Sequence, residues 1–483
     1  MPYPPEVMEK LGMESLDLRM QNISRLMKRG VTFYKSISPA PVCASARACL
    51  ATGLNYSRCG CKGNGENTPT DKKTFYKVLR DGGYNVGGVG KFDLHKPDFD
   101  WGRDPIGWHW KLEKYGFTKE YSIDSEGKRA GIKSAVNEFI KPGKRKRFKQ
   151  PSQYRPRGPY MTFLHERGLM DEHIKDFKRR TGPFRMFMTE VTPLPDDAYD
   201  DNWVGQKALM MLEKFPKEQP WFLQVNFPGP HEPWDVTKRM KESVEGRLYP
   251  LPTGCSKEMA EELVDVRRNY TAMLENIDRN IGLMLEEIEK RGERENTIVI
   301  YASDHGEMLG DFGMWGKGKP WRGSERVPLA IAGPGIVDDK ISDALVELQD
   351  LAMTIVDYAG LAMPEAVDSI SLRPILEGIG EGHVHREYQC ACLKESDNIY
   401  WKTITDGVFK LAREKGELRL FNLEEDPWEN ADISKENPEI VSELGKMVDT
   451  LVPDPEARPR SLSLLARICS VSEVIRPSRS RSP

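Results

Sequence analysis

Two cysteines, one arginine and a run of small residues crowd the stretch PVCASARACLATG (41–53), directly after the β-rich run TFYKSIS. Three more polar clusters follow apolar runs in the same way. GKFDLH (90–95) follows YNVGGV, GPHEP (229–233) follows WFLQVNF, and SDHGEMLGDFGMWGKGK (303–319) follows TIVIYA. Sheet-based α/β proteins build their sites just past the C-terminal ends of strands. The four clusters pool a thiol (Cys43), Arg47, three lysines (Lys91, Lys317, Lys319), three histidines (His95, His231, His305) and several aspartates, among them Asp93 and Asp304. That set predicts a cationic pocket with an acidic, metal-holding corner. It suits a doubly charged tetrahedral anion such as a sulfate or phosphate ester. Lysines and an arginine would hold the oxygens, a histidine would protonate the leaving group, and a divalent ion held by carboxylates would polarise the centre.

Each cluster also has a plainer reading. A histidine after a strand can be a hydrogen-bonded turn residue, Asp304-His305 can cap a helix, and Lys317 and Lys319 can be solvated. Four such clusters, each behind its own strand, weigh against coincidence. The elements that must position them are legible from periodicity. NTIVIYAS and VPLAIAGPG read as buried strands. Met259, Leu263, Val266, Tyr270, Leu274, Ile277, Ile281, Met284 and Ile288 recur at helical spacing over about 257–291. LQDLAMTIVDYAG (348–360) reads as a helix stopped by Gly360. Apolar strands alternating with long helices predict an α/β fold with a largely buried sheet.

From about residue 385 the pattern changes to half-exposed alternation, in IYWKTITDGVFKLAR and LRLFNLEEDP. This predicts a smaller α+β domain closed by the helix NPEIVSELGKMVDTLV. The expected division is a main domain over 1–380, a small domain over 381–453 and a disordered Arg/Ser-rich tail over 454–483. The segment 95–200, rich in Lys, Arg and aromatics, reads as insertions that bear on substrate choice.

The 483-residue chain is 39% hydrophobic and 30% charged, which suits a globular protein, and its net charge of −3 gives no global field for nucleic acid. No apolar run approaches the roughly 18 residues of a membrane span. The first twenty residues lack the apolar core of a signal peptide. The expected location is therefore the cytoplasm for the chain as it stands, or a secreted or periplasmic one if it begins internally. The eight cysteines are too sparse for a disulfide scaffold, and their C-x-C pairs (Cys59/Cys61, Cys390/Cys392) do not have common zinc-site spacing. Most are expected to be free thiols.

CASARACLATG resembles the type I sulfatase signature C-x-P-S-R-x-x-L-x-T-G at Cys43, Arg47, Leu50, Thr52 and Gly53. Gly90-Lys91, the P-H-x-P block at 230–233, SDHGEMLGD…WGK, VPLAIAGPG, DSISLRPIL and LFNLEEDPWENADI resemble further segments of that family, in order, from about residue 20 to 450. The resemblance implies an alkaline-phosphatase-like fold, with a large central mixed β-sheet flanked by helices and a C-terminal domain with an antiparallel sheet. It implies hydrolysis of small-molecule or carbohydrate sulfate esters, after a formylglycine-generating enzyme has oxidised Cys43 to formylglycine. One hydroxyl of the hydrated aldehyde would attack sulfur, and the other would expel sulfate by re-forming the aldehyde. By the same resemblance Arg47 holds the hydrate and the metal corner, Lys91 and Lys317 bind sulfate oxygens, and His231 acts as acid. Asp304 and His305, with residue 43, hold calcium; the Asp-His pair also resembles the phosphonate and phosphodiester branch, where manganese is expected.

Three departures from the pattern stand out. Ser45 occupies the signature's proline position. Asp93 takes the histidine slot of G-K-x-H, with His95 two residues later as the alternative occupant. Nothing before Asn22 resembles the family's leading strand, which ends in paired metal-binding aspartates. The competing readings are a phosphonate or phosphate diester hydrolase and a non-catalytic binder of sulfated or phosphorylated ligands.

Overall fold

Apolar runs bounded by glycine and proline form the strands, and the amphipathic runs between them form the helices that cover the sheets. A computed structural model describes residues 17–96, 109–124, 137–138, 147–148, 156, 158–180, 187–364, 366–379, 382, 384–395 and 399–452. The main lobe begins with helix α1 (Gln21–Lys28) and strand β1 (Gly30–Phe33). Helix α2 (Cys43–Thr52), helix α3 (Phe75–Asp81) and strands β2 (Asn85–Gly90) and β3 (Ser122–Asp124) follow. Next come α4 (Asp200–Lys214), β4 (Trp221–Asn226) and α5 (Lys257–Lys290). The lobe ends with β5 (Val299–Ala302), β6 (Leu329–Ala332), β7 (Lys340–Ser342) and α6 (Asp350–Tyr358). The small lobe consists of β8 (Gln389–Glu395), β9 (Ile399–Thr405), β10 (Phe409–Glu414), β11 (Glu417–Asn422) and α7 (Pro438–Leu451).

The main-lobe strands form a mixed sheet in two pieces. One has the order β7-β1-β6-β5, with β1 parallel to β7 and antiparallel to β6. The other has the order β3-β2-β4 and is all parallel. Among the described residues β5 and β4 each pair on one side only; the mixed strand directions and the flanking helices are those of the large mixed sheet that the resemblance implies. Both strands are apolar yet only half-buried along their whole length. In the small lobe β8 to β11 form an antiparallel sheet in sequence order, as expected, but not a half-exposed one: residues 401–405 of β9 are all buried. The expected tail over 454–483 lies outside the described residues, as does much of the 95–200 segment.

Three contacts bring the lobes together, the first of them through α2. Its small side chains Ala44, Ala48 and Cys49 share an apolar cluster with Trp401, Ile404, Leu411 and Leu420 of the small-lobe sheet and Leu444 and Val448 of α7. Trp401 also donates its ring N–H to the Gly318 carbonyl at 3.1 Å, beside Lys317. Lys410 is buried between Glu325 (2.8 Å) and Glu429 (2.6 Å), which ties β10 to the segment that follows the Lys317 loop. A buried charge in such a place is tolerated because it is paired and hydrogen-bonded.

Candidate active site

Cys43 opens α2, where the unpaired N–H groups of the first turn and the helix dipole favour a negative charge. The helix packs through alanines on every side and stops at Gly53, whose backbone is left-handed (φ 67°). Small residues therefore serve close packing of the helix as well as access to residue 43.

Lys91 arrives from β2. The N–H of Lys91 donates to the Asn226 carbonyl of β4 at 3.0 Å. Gly90 precedes it at φ 101°, and a Cβ there would lie 2.0 Å from that same carbonyl oxygen, so only glycine allows this approach. The Lys91 ammonium lies 3.5 Å from the Cys43 sulfur. Arg47, one turn along α2 from Cys43, donates to Asp304 Oδ2 at 2.9 Å and to the Lys91 carbonyl. Asp304 and His305 follow β5. His305 donates from Nδ1 to the Gly306 carbonyl at 2.8 Å, which leaves Nε2 facing the Cys43 sulfur at 3.2 Å.

His231 stands in the turn after β4. Gly229 in this turn donates its N–H to Asp201 of α4 at 2.8 Å, and a Cβ at Gly229 would meet the other oxygen of that carboxylate at 2.3 Å. His231 Nδ1 lies 2.8 Å from the Glu232 carboxylate, and its Nε2 lies 2.7 Å from the Lys317 ammonium. An ammonium only donates, so Nε2 is the acceptor in that contact. The Lys317 loop is pinned by Glu307, whose carboxylate accepts from the Gly316 N–H at 2.5 Å.

The charges reinforce one another. Burial alone would raise the Cys43 thiol, but Lys91, His305, Lys96 and Lys317 outweigh it and hold the pKa well below its ordinary value. Burial opposes the charge of Asp304 too, yet Arg47 and His305 bring its pKa down to about 2. Burial lowers His305, and Asp304 and Cys43 more than compensate, so its pKa is raised. The Cys43 sulfur, an Asp304 oxygen and a His305 nitrogen lie within 4.8 Å of one another.

Cys43, Arg47, Lys91, His231, Asp304, His305 and Lys317 thus converge from four strand ends. His95 stands apart as a correction to the expected pocket: it is buried against Asp124 (3.2 Å) and stacks on the Tyr115 ring. Asp93 turns toward the pocket instead, with φ 54°. Three participants carried no assigned role in the sequence reading: Lys96, one residue past the GKFDLH block; Glu232, inside the P-H-x-P block; and Asp201, with only its position at a helix start to mark it.

The Sulfatase family profile matches residues 8–361. The chain belongs to the sulfatase family. A second profile, the C-terminal region of N-sulphoglucosamine sulphohydrolase, matches residues 310–452 and so covers the small lobe of this sulfatase. The arylsulfatase of Clostridium perfringens is 24% identical over 456 residues, covering 88% of each chain. The fold is shared with the phosphonate monoester hydrolase of Agrobacterium radiobacter, at TM-score 0.70 and 21% identity over 90% of each chain. It is shared as well with a structure solved with its substrate D-glucosamine-2-N,6-O-disulfate, at TM-score 0.69 and 18% identity, covering 95% of this chain and 98% of the other. The sulfatase is therefore a sulfuric ester hydrolase, and the family implies a metal ion and a formylglycine in general terms.

Proposed function

We propose that this sulfatase hydrolyses sulfate esters with residue 43, oxidised from cysteine to formylglycine, as its nucleophile. The observation that supports this reading is the placement of the Cys43 sulfur at a helix N-terminus, 3.5 Å from the Lys91 ammonium and 3.2 Å from His305 Nε2. In this geometry the sulfur marks where an oxygen of the hydrated aldehyde would stand. That oxygen, having released its proton to solvent, would attack sulfur, and the S–O bond to the departing alcohol would break as the alcohol oxygen takes up a proton. The remaining hydroxyl then gives up its proton as the aldehyde re-forms and the bond from residue 43 to sulfate breaks.

Lys91 offsets the negative charge that builds on the equatorial oxygens, and Arg47, bonded to Asp304 and to the Lys91 carbonyl, holds the metal corner in place. The Lys317–His231 pair delivers the proton to the departing oxygen, and Glu232 keeps the imidazole oriented through Nδ1. The donor set suits a divalent cation: Asp304 and His305 would hold it beside residue 43, and once bound it supplies Lewis-acid polarisation. An imidazole nitrogen among the donors favours manganese over calcium, which takes six to eight oxygens.

Similarity to relatives acting on aryl sulfates and to a structure holding a sulfated amino sugar supports a small-molecule or carbohydrate sulfate ester as substrate. The test is turnover of an aryl sulfate beside an aryl phosphonate monoester by protein co-expressed with a formylglycine-generating enzyme. The expected result is faster turnover of the sulfate. Preference for the phosphonate would assign the chain to the phosphonate branch of the same fold, and turnover of neither would support the non-catalytic reading.

A further inference from the structure

Asp93 places a carboxylate inside a pocket that binds anions. One of its oxygens, Oδ2, accepts a hydrogen bond from Lys96 at 2.8 Å and lies 3.3 Å from the Lys91 ammonium. Lys91 in turn reaches Cys43 at 3.5 Å, so the carboxylate lies one ammonium group away from the reacting residue. Asp93 is held there by a left-handed backbone (φ 54°), and its side chain is only 7% exposed. Aspartate tolerates that conformation better than most residues, but it remains a strained choice for a turn. Such a carboxylate takes up part of the positive charge of both lysines before any ester arrives.

Resting on the ester-hydrolase reading above, we infer that Asp93 is a specificity-determining residue that selects tetrahedral esters with one negative charge over those with two. A sulfate monoester carries a single charge. A phosphate monoester carries two above its second ionisation near pH 6. A fixed unit charge a few ångströms away repels a dianion about twice as strongly as a monoanion. At the effective dielectric of a partly buried site, that difference is on the order of tenfold in affinity or more. The other fixed charges of the pocket do not alter the comparison, because it concerns the difference made by one carboxylate. The dianionic ligand expected from the sequence count of lysines is thereby narrowed to a monoanion.

The test measures binding without turnover, in a Cys43→Ala background, by calorimetry with phenyl sulfate and phenyl phosphate at pH 5 and pH 8. The two pH values compare phenyl phosphate as a monoanion and as a dianion, and the effect of Asp93 is read as the difference between the parent and the variant at each pH. Asp93→Asn keeps the side-chain shape and tolerates the same backbone, and should raise the phosphate-over-sulfate preference at pH 8 about tenfold. Asp93→Gly, which suits the left-handed backbone, removes the same charge and should shift the preference in the same direction, which keeps the inference testable if the first variant does not fold. An unchanged preference in both variants would overturn the role of Asp93. Failure of both esters to bind with Asp93 present would overturn the ester-hydrolase reading itself, and this inference with it.

Discussion

Burial at the head of a helix would raise a thiol, and Lys91, His305, Lys96 and Lys317 outweigh it around Cys43 and hold its pKa well below the ordinary value. In unconverted protein, iodoacetamide labelling of Cys43 should therefore continue well below the pH range of an ordinary thiol. Lys91→Met should move the midpoint of that labelling upward, because the lysine favours the thiolate; an unmoved midpoint would argue against this account. In converted protein the same substitution removes a donor aimed at developing charge. It should lower kcat for an aryl sulfate by about 10²–10³-fold, with the melting temperature measured alongside to separate chemistry from folding. Lys91, His231 and Asp304 were legible in the sequence because each directly follows an apolar strand. The inversion of Asp93 and His95 was not, since it depends on a left-handed turn at Asp93 and on Asp124, which is remote in sequence and draws His95 into the core.

The elements carrying these residues were legible wherever periodicity was strong. The long helix, the strand before Asp304 and the small-lobe strands all stand where apolar spacing placed them. The pairing order of the main-lobe strands could not be read, because strand pairing depends on partners and not on a strand's own pattern. The ties between elements were likewise hidden. Asp350 at the start of α6 is fully buried and accepts from Arg386 Nε at 3.0 Å and from His385 at 3.1 Å, just ahead of the small-lobe sheet. Burial would raise its pKa, yet Arg386 and His385 bring it down to about 2. A depressed carboxylate stabilises the fold above its unfolded pKa of about 3.9, and that contribution fades as pH falls from there through about 2. Arg386→Met leaves the carboxylate buried without its strongest partner and should cost about 3–5 kcal/mol in denaturant melts at pH 7. A loss below about 1 kcal/mol, on the scale of an exposed ion pair, would show that the tie is solvated.

At the scale of the molecule, two lobes and two sheet pieces close on one corner, and the small lobe holds the Lys317 loop through Trp401 and Lys410. If Asp304 and His305 hold the metal, as proposed, chelation should abolish sulfate ester turnover, and manganese should restore it better than calcium when activity is assayed after dialysis. Equal restoration by both ions would remove the argument from the imidazole donor. The central claim is that an aldehyde at position 43 does the chemistry. It is tested most directly by the mass of peptide 36–47 from protein that is turning over an aryl sulfate. The account predicts that the aldehyde form is present and that its fraction tracks the specific activity from one preparation to the next. Active protein whose residue 43 is wholly the thiol would contradict it.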